Sequence, residues 1–304
     1  MRAETRGHLA AFVTILIWGT TFISTKVLLR VFAPIEILLM RFVVGYAALW
    51  CVRPRRLKVA DKKREWYFAA AGLCGITLYY LLENIALTLT LASNVGVIIS
   101  IAPFFTAVFA WLFLHDRRPG IRFILGFLMA MAGIALLSFG KEAGLQINPV
   151  GDLLGVTAAV IWAVYSILTK KISGYGYDTI LATRRIFFYG LVFMLPISFS
   201  MGVHVEPRDL AFGSVVMNLL FLGLGASALC FVTWNTAVRH LGSVKTSVYI
   251  YMVPVITAVT SALVLRENIT ITAVCGIVLT LAGLLLSEKR MQNKEDFIHG
   301  IERK

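Results

Sequence analysis

The chain has 304 residues, 59% of them hydrophobic and 15% charged, with a formal net charge of +13. A soluble domain carries nearer a quarter charged residues, so this composition excludes an ordinary soluble fold. The basic residues sit in short loops between long apolar runs, which excludes nucleic-acid binding as their reading and assigns them to orientation in a membrane.

Ten apolar runs follow one another, at about 9–28, 34–52, 66–89, 94–114, 121–139, 150–169, 179–201, 211–236, 245–265 and 270–288. Each approaches the roughly 20 residues that a helix needs to cross about 30 Å of hydrocarbon. The expected fold is an all-α membrane protein with ten transmembrane helices. The first run follows Arg2 and Arg6 and lacks a small-residue cleavage site, so it reads as a retained span and not a signal peptide.

Span one carries Trp18-Gly19-Thr20-Thr21 and ends near Lys26, whose long stem can reach the interface. Span two carries Arg41, and a strongly basic loop from Arg53 to Arg64 follows. Span three holds Tyr79, Tyr80, Glu83 and Asn84, and Glu83 is the only carboxylate well inside a span. A charge at such depth costs at least ~2.5 kcal/mol on insertion scales, so a functional role is the default hypothesis. Glu83 and Arg41 each lie roughly 10 Å below the outer ends of their helices, so they can pair. A structural Glu83–Arg41 ion pair and a proton or substrate-amine site are both open on this reading.

In span four, Gly96, Ser100, Pro103, Ala107 and Ala110 share one helical face. The matching face of span nine is Ser247, Tyr251, Pro254, Ala258 and Ser261. Small faces permit close helix packing. They can equally wall a cavity in which each proline frees a carbonyl near mid-membrane. Gly126 and Gly133 in span five, and Gly276 and Gly283 in span ten, fall on single faces and read as close packing between helices or in a dimer contact.

The second half repeats the first. Trp18, Lys26 and Arg41 each lie 144 residues before Trp162, Lys170 and Arg185, while Asn84 and Pro103 lie 151 before Asn235 and Pro254. Residues 1–144 form the first five-helix repeat, 145–289 the second, and 290–304 a polar cytoplasmic tail. Five spans is an odd number, so the second repeat enters the membrane inverted, an architecture that places a binding site at the repeat interface. With both termini cytoplasmic, 21 Lys and Arg fall on the inner side and 5 on the outer. The loop bias flips with the inversion: the segment from Gly202 to Leu210 has one Arg beside Glu206 and Asp209, and Arg266 stands beside Glu267.

These residues resemble the drug/metabolite transporter superfamily in its two-repeat, EamA-like branch. The resemblance rests on Trp18-Gly19, Lys26, Arg41, the Pro103 segment and Gly126 with Gly133. It rests equally on Trp162, Lys170, Arg185, Pro254, Glu267 and Gly276 with Gly283. It spans residues 9–288 and implies ten helices, alternating access and export of amino acids, metabolites or drugs. The chain departs from the pattern with Asp116 where Glu is usual, and with the doubled Arg184-Arg185.

The function expected is therefore a secondary transporter in a bacterial inner membrane, a multi-pass exporter of a small organic solute. Its pathway would take Trp18, Tyr79, Glu83, Asn84, Ser100, Pro103, Trp162, Asn235, Ser247, Tyr251 and Pro254. The expected partners are that small-molecule substrate, the lipid bilayer and coupling protons at Glu83, with no nucleic acid; a homodimer is compatible with the sequence. No cofactor or metal is expected. The five His lie near span ends or in tails, and Cys51, Cys74, Cys230 and Cys275 show no paired spacing. The alternatives are a membrane-embedded lipid-modifying enzyme, which needs a convergent nucleophile or metal set, and a non-transporting receptor or assembly protein.

Overall fold

The computed structural model describes residues 3–59, 61–90, 92–139, 148–203, 205, 208, 210, 212–265 and 271–301; for 92–94, 137–139, 258, 261–265, 273 and 288–301 it describes the backbone alone. Glu206, Asp209, Arg266, Glu267 and the side chains of Ala258, Ser261 and the tail thus lie outside the described residues. Every regular element described is helical. In chain order they are α1 (Ala3–Leu28), α2 (Pro34–Val52), α3 (Lys62–Leu89), α4 (Ala92–Ile99 continuing as Ala102–Phe113) and α5 (Ile121–Phe139). There follow α6 (Pro149–Ser173), α7 (Thr179–Met201), α8 (Gly213–Leu241), α9 (Ser243–Ser247, Val248–Tyr251 and Met252–Leu265) and α10 (Ile271–Ile301). Among the described residues seven helices are long and apolar enough to cross a membrane, and shorter apolar stretches occur at Ile121–Leu136 and Val274–Ser287.

Local sequence sets the helix ends. Pro34 opens α2, where its missing N–H costs nothing, and the Glu36 carboxylate accepts from the Ala33 N–H at 2.8 Å. Asn148 caps α6 through the Gly151 N–H, and Asp178 caps α7 through the N–H groups of Ile180 and Leu181. Gly202 and Gly242 follow α7 and α8 with φ of +66° and +85°, values an L side chain resists.

Two kinds of irregularity recur in both halves. Leu73–Leu78 in α3 and Phe221–Leu229 in α8 are π-helical. Pro103 and Pro254 each follow a break: α4 turns at Ser100 and Ile101, and α9 narrows to a 3₁₀ turn over Val248–Tyr251. A proline ring clashes with the carbonyl four residues back and offers no N–H, so the preceding turn tightens. Accordingly the Ile101 N–H reaches Ile98 O at 3.0 Å, a bond spanning three residues.

The packing pairs exchange when the two sets of five helices are exchanged. Helix α1 lies on α8 and α9, as α6 lies on α3 and α4; α2 lies on α8, as α3 lies on α7; α2–α7 and α5–α10 are their own counterparts. Helix starts recur at the same intervals, with Ala92 and Ser243 151 residues apart and Ile121 and Ile271 150 apart. The core lies where these sets meet and is rich in aromatic side chains, including Phe42, Tyr80, Trp162, Tyr165, Phe187, Phe231 and Trp234. Helices α5 and α10 cross at their glycines: a Cβ added at Gly133 would come within 2.5 Å of the Thr280 nitrogen, and one at Gly283 within 2.5 Å of the Ala130 nitrogen. Those four glycines thus serve helix-to-helix contact inside the chain.

Candidate functional site

A cavity of about 40 Å³ opens in this core, lined by Trp18, Thr21, Phe22, Tyr79, Tyr80, Glu83, Ile99, Trp162, Ile250 and Val253. Helices α1, α3 and α4 contribute from one side, α6 and α9 from the other. Five of these side chains are aromatic, and Trp18, Trp162, Tyr79 and Tyr80 touch one another. Trp18 and Trp162 meet edge to face at 5.2 Å, Tyr79 lies 4.7 Å from Trp162, and Tyr79 meets Tyr80 at 4.8 Å. Trp18 is fixed by its indole N–H, which donates to Ala226 O at 3.0 Å. Among the described residues of the lining Glu83 is the only charged side chain, and its Oε1 accepts a hydrogen bond from Tyr79 Oη at 3.2 Å.

Arg41 does not pair directly with Glu83. Its Nε donates to Ser227 Oγ at 2.9 Å, and its guanidinium lies over the Tyr80 ring at 4.5 Å and near Phe42 at 5.3 Å. Of the two readings left open, the direct ion pair gives way to a cation–π contact: the bulk of Tyr80 holds the guanidinium, and Ser227, from the π-helical turn of α8, takes its Nε. Arg41 is 1% exposed, and its second terminal nitrogen has no hydrogen-bond partner.

Of the residues expected from sequence, Trp18, Tyr79, Glu83 and Trp162 come together in the cavity, and the others do not. Asn84 donates to Pro34 O at 3.4 Å, which ties α3 to the start of α2. Asn235 accepts from Tyr165 Oη at 3.0 Å and donates to Thr183 Oγ1 at 2.9 Å, joining α6, α7 and α8. It also borders a second cavity of about 20 Å³, with Thr169, Ser173, Thr179 and Arg239. Ser100 and Ser247 are fully buried and bond back to their own helices, at Gly96 O and Val244 O. Pro103 is buried in α4 and Pro254 half-buried in α9, outside the lining. Tyr251 packs with Ala107, Phe123, Ala130 and Leu284, toward α5 and α10. Helices α4 and α9 present Ile99, Ile250 and Val253 to the cavity in place of the serines.

The EamA-like transporter family matches twice, at residues 5–139 and 149–288. The chain belongs to the EamA-like transporter family, within the drug/metabolite transporter superfamily. It is a multi-pass membrane protein. It is 28% identical over 293 residues to an uncharacterized transporter of Archaeoglobus fulgidus, covering 93% of this chain and 98% of that one. It is 26% identical to the uncharacterized transporter YvbV of Bacillus subtilis, covering 99% and 97%. A probable terminal-alkyne amino-acid exporter of Streptantibioticus cattleyicolor is 27% identical over 282 residues, covering 92% and 93%. A solved crystal structure at 20% identity superposes with a TM-score of 0.75, covering 96% of this chain and 99% of that one, and shows the same fold.

Other features of this EamA-like transporter could not be paired from sequence. Arg185 finds Glu65, its Nη2 donating to Oε1 at 2.7 Å, and Tyr189 Oη donates to the same carboxylate. Arg184 donates to the carbonyls of Arg53 and Arg55 and lies over the Trp50 ring at 4.4 Å. Lys245 is 3% exposed and donates to Glu4 Oε1 at 2.6 Å, which ties α9 to the start of α1. Trp234, the counterpart of Glu83, fills its position with a fully buried ring 5.2 Å from Trp18.

Proposed function

We propose that this EamA-like transporter is a secondary exporter of a small organic solute bearing an ammonium group, of amino-acid, metabolite or drug type. In this reading ten spans form two inverted five-helix halves with both termini cytoplasmic, and the halves give access to the site from each side in turn. The observation that carries it is Glu83, a lone carboxylate in a cavity walled by Trp18, Trp162, Tyr79 and Tyr80 at the seam between the halves. A carboxylate supplies the charge an ammonium needs, and the ring faces add cation–π attraction, strongest where water is excluded.

The exchange of packing pairs between helix sets supports a two-fold relation between the halves. In the proposed orientation α1 and α3 both run outward, and Thr21, Phe22 and Glu83 lie in their later portions, so the cavity sits toward the outer side. Inward of it stand Trp234 and the Tyr165–Asn235–Thr183 network, which close the cytoplasmic route. A cavity of about 40 Å³ holds a few waters, so the conformer is a closed one.

Coupling follows from mutual exclusion. A proton and a substrate ammonium compete for the same carboxylate, so release of one on one side of the membrane prepares uptake of the other. The test is flux in proteoliposomes under an imposed pH gradient, with amine-bearing solutes set against their N-acetylated analogues. Gradient-driven flux of the amines alone is expected. Equal flux of the acetylated series removes the ammonium from the reading.

A further inference from the structure

We propose that the segment from Arg53 to Arg64, which joins α2 to α3, is a docking surface for the phosphate head groups of anionic phospholipids. Seven Lys and Arg lie in these twelve residues against one acid, Asp61. Asp61 is occupied in capping α3, accepting from the Lys63 N–H. Arg53 pairs with Asp178 at 3.4 Å. Arg55, Arg56, Lys58, Lys62 and Lys63 are exposed, and among the described residues no carboxylate bridges any of them.

The described residues of the segment are pinned in place. Leu57 and Val59 pack against the main core, so Arg56 and Lys58, alternating with them, face outward. Arg184 donates to the carbonyls of Arg53 and Arg55, fixing the start of the strap. Beside it, Arg64 lies over the Tyr175 ring and Lys171 over the Tyr67 ring, each at 4.6 Å, so two further cations are held by rings and not by acids. A loop that served only to orient the chain during insertion would need neither the apolar anchors nor the carbonyl bonds, because the orienting signal is satisfied by solvated charge.

The flanks point to a lipid as the partner. Val52 is 67% exposed and Trp66 is 75% exposed, one at the end of α2 and the other in the first turns of α3. An indole at a helix entry is the side chain that settles at head-group level, and a basic cluster next to a span is attracted to anionic leaflets. Apolar contact at both ends with unpaired cations between them fits a phosphodiester head group above its own acyl chains.

The test holds the purified full-length protein in mixed micelles with equal phosphatidylglycerol and phosphatidylcholine and counts retained lipids by native mass spectrometry. Phosphatidylglycerol should be retained preferentially, and Arg56→Gln/Lys58→Gln/Lys62→Gln/Lys63→Gln should lower that retention at least about tenfold. Neutralising Arg117 and Arg118, in the loop between α4 and α5, and Arg122, in the first turn of α5, should leave it unchanged. Salt at about 0.5 M should abolish the preference in the unmodified protein, which decides the matter even if the quadruple variant fails to fold. Equal retention of the two lipids, an unchanged quadruple variant, or displacement of the lipid by inorganic phosphate at about 10 mM would overturn the proposal, the last marking a site for free anions. Lipid retention in micelles is independent of transport, so its failure leaves the reading of the cavity untouched.

Discussion

Glu83→Gln separates a coupling carboxylate from a structural one by two readouts, stability and gradient-driven flux. The glutamine keeps the size of the side chain and an oxygen that can accept from Tyr79, so the single hydrogen bond of 3.2 Å survives. Arg41 is held by Ser227 and the Tyr80 ring, so removing the carboxylate leaves no contact partner newly stranded. Breaking a true buried ion pair costs about 3–5 kcal/mol, whereas weakening one hydrogen bond costs about 1 kcal/mol or less. Thermal unfolding in detergent should therefore place Glu83→Gln within about 1 kcal/mol of the parent, and adding Arg41→Gln should bring no rescue. Flux driven by a pH gradient should be lost, while exchange of substrate for substrate survives, because that half-cycle moves no net proton. A loss of 3 kcal/mol or more that Arg41→Gln restores would refute the geometric argument. Parental pH dependence of flux in a folded Glu83→Gln protein would remove Glu83 from coupling.

Further expectations follow from the packing and the pathway. Gly133→Leu drives a side chain into the backbone of α10 near Thr280 and should destabilise the protein by about 3 kcal/mol or more, read as lost folded yield; a neutral result would show that α5 and α10 can separate freely. In a background without the native cysteines, Cys at Ile99 or Ile250 should react with a water-soluble thiol reagent when the transporter cycles through open states, and Cys at Ser100 or Ser247 should stay protected throughout; the reverse pattern would reassign the lining. Glu4→Gln should cost about 1 kcal/mol because it weakens the partner of the buried Lys245, and Lys245→Met should recover it, as a double-mutant cycle in detergent would show. A reporter fused after Lys304 should be active only in the cytoplasm, and periplasmic activity would reverse the proposed topology.

Much of this architecture was legible before any coordinates. Runs of about 20 apolar residues must form helices in a bilayer, because no water is present there to satisfy the backbone. The recurrence of Trp18 with Trp162 and Pro103 with Pro254 announced that the chain is built from similar halves, and Glu83 stood out because a lone acid in an apolar run is costly. The small residues that helical spacing grouped in α4, Gly96, Ser100, Pro103, Ala107 and Ala110, are each buried.

What spacing alone could not supply was phase and partnership. Ile99 and Ile250 meet the cavity while Ser100 and Ser247 turn into the packing, and spacing along one helix does not tell which of its faces meets the other half. Equal depth made Arg41 and Glu83 a plausible pair, but depth says nothing of azimuth, and Tyr80 and Ser227 take the guanidinium instead. Glu65 could be matched with Arg185 only once α3 lay against α7. The sequence by itself determined the medium, the helices, the repeat and the one carboxylate that needs explaining, since each follows from local chemistry or periodicity. Tertiary structure alone decided which side chains share the cavity, because that depends on how helices from both halves rotate and cross, with local twist at each proline and π-helical turn setting the direction every side chain takes.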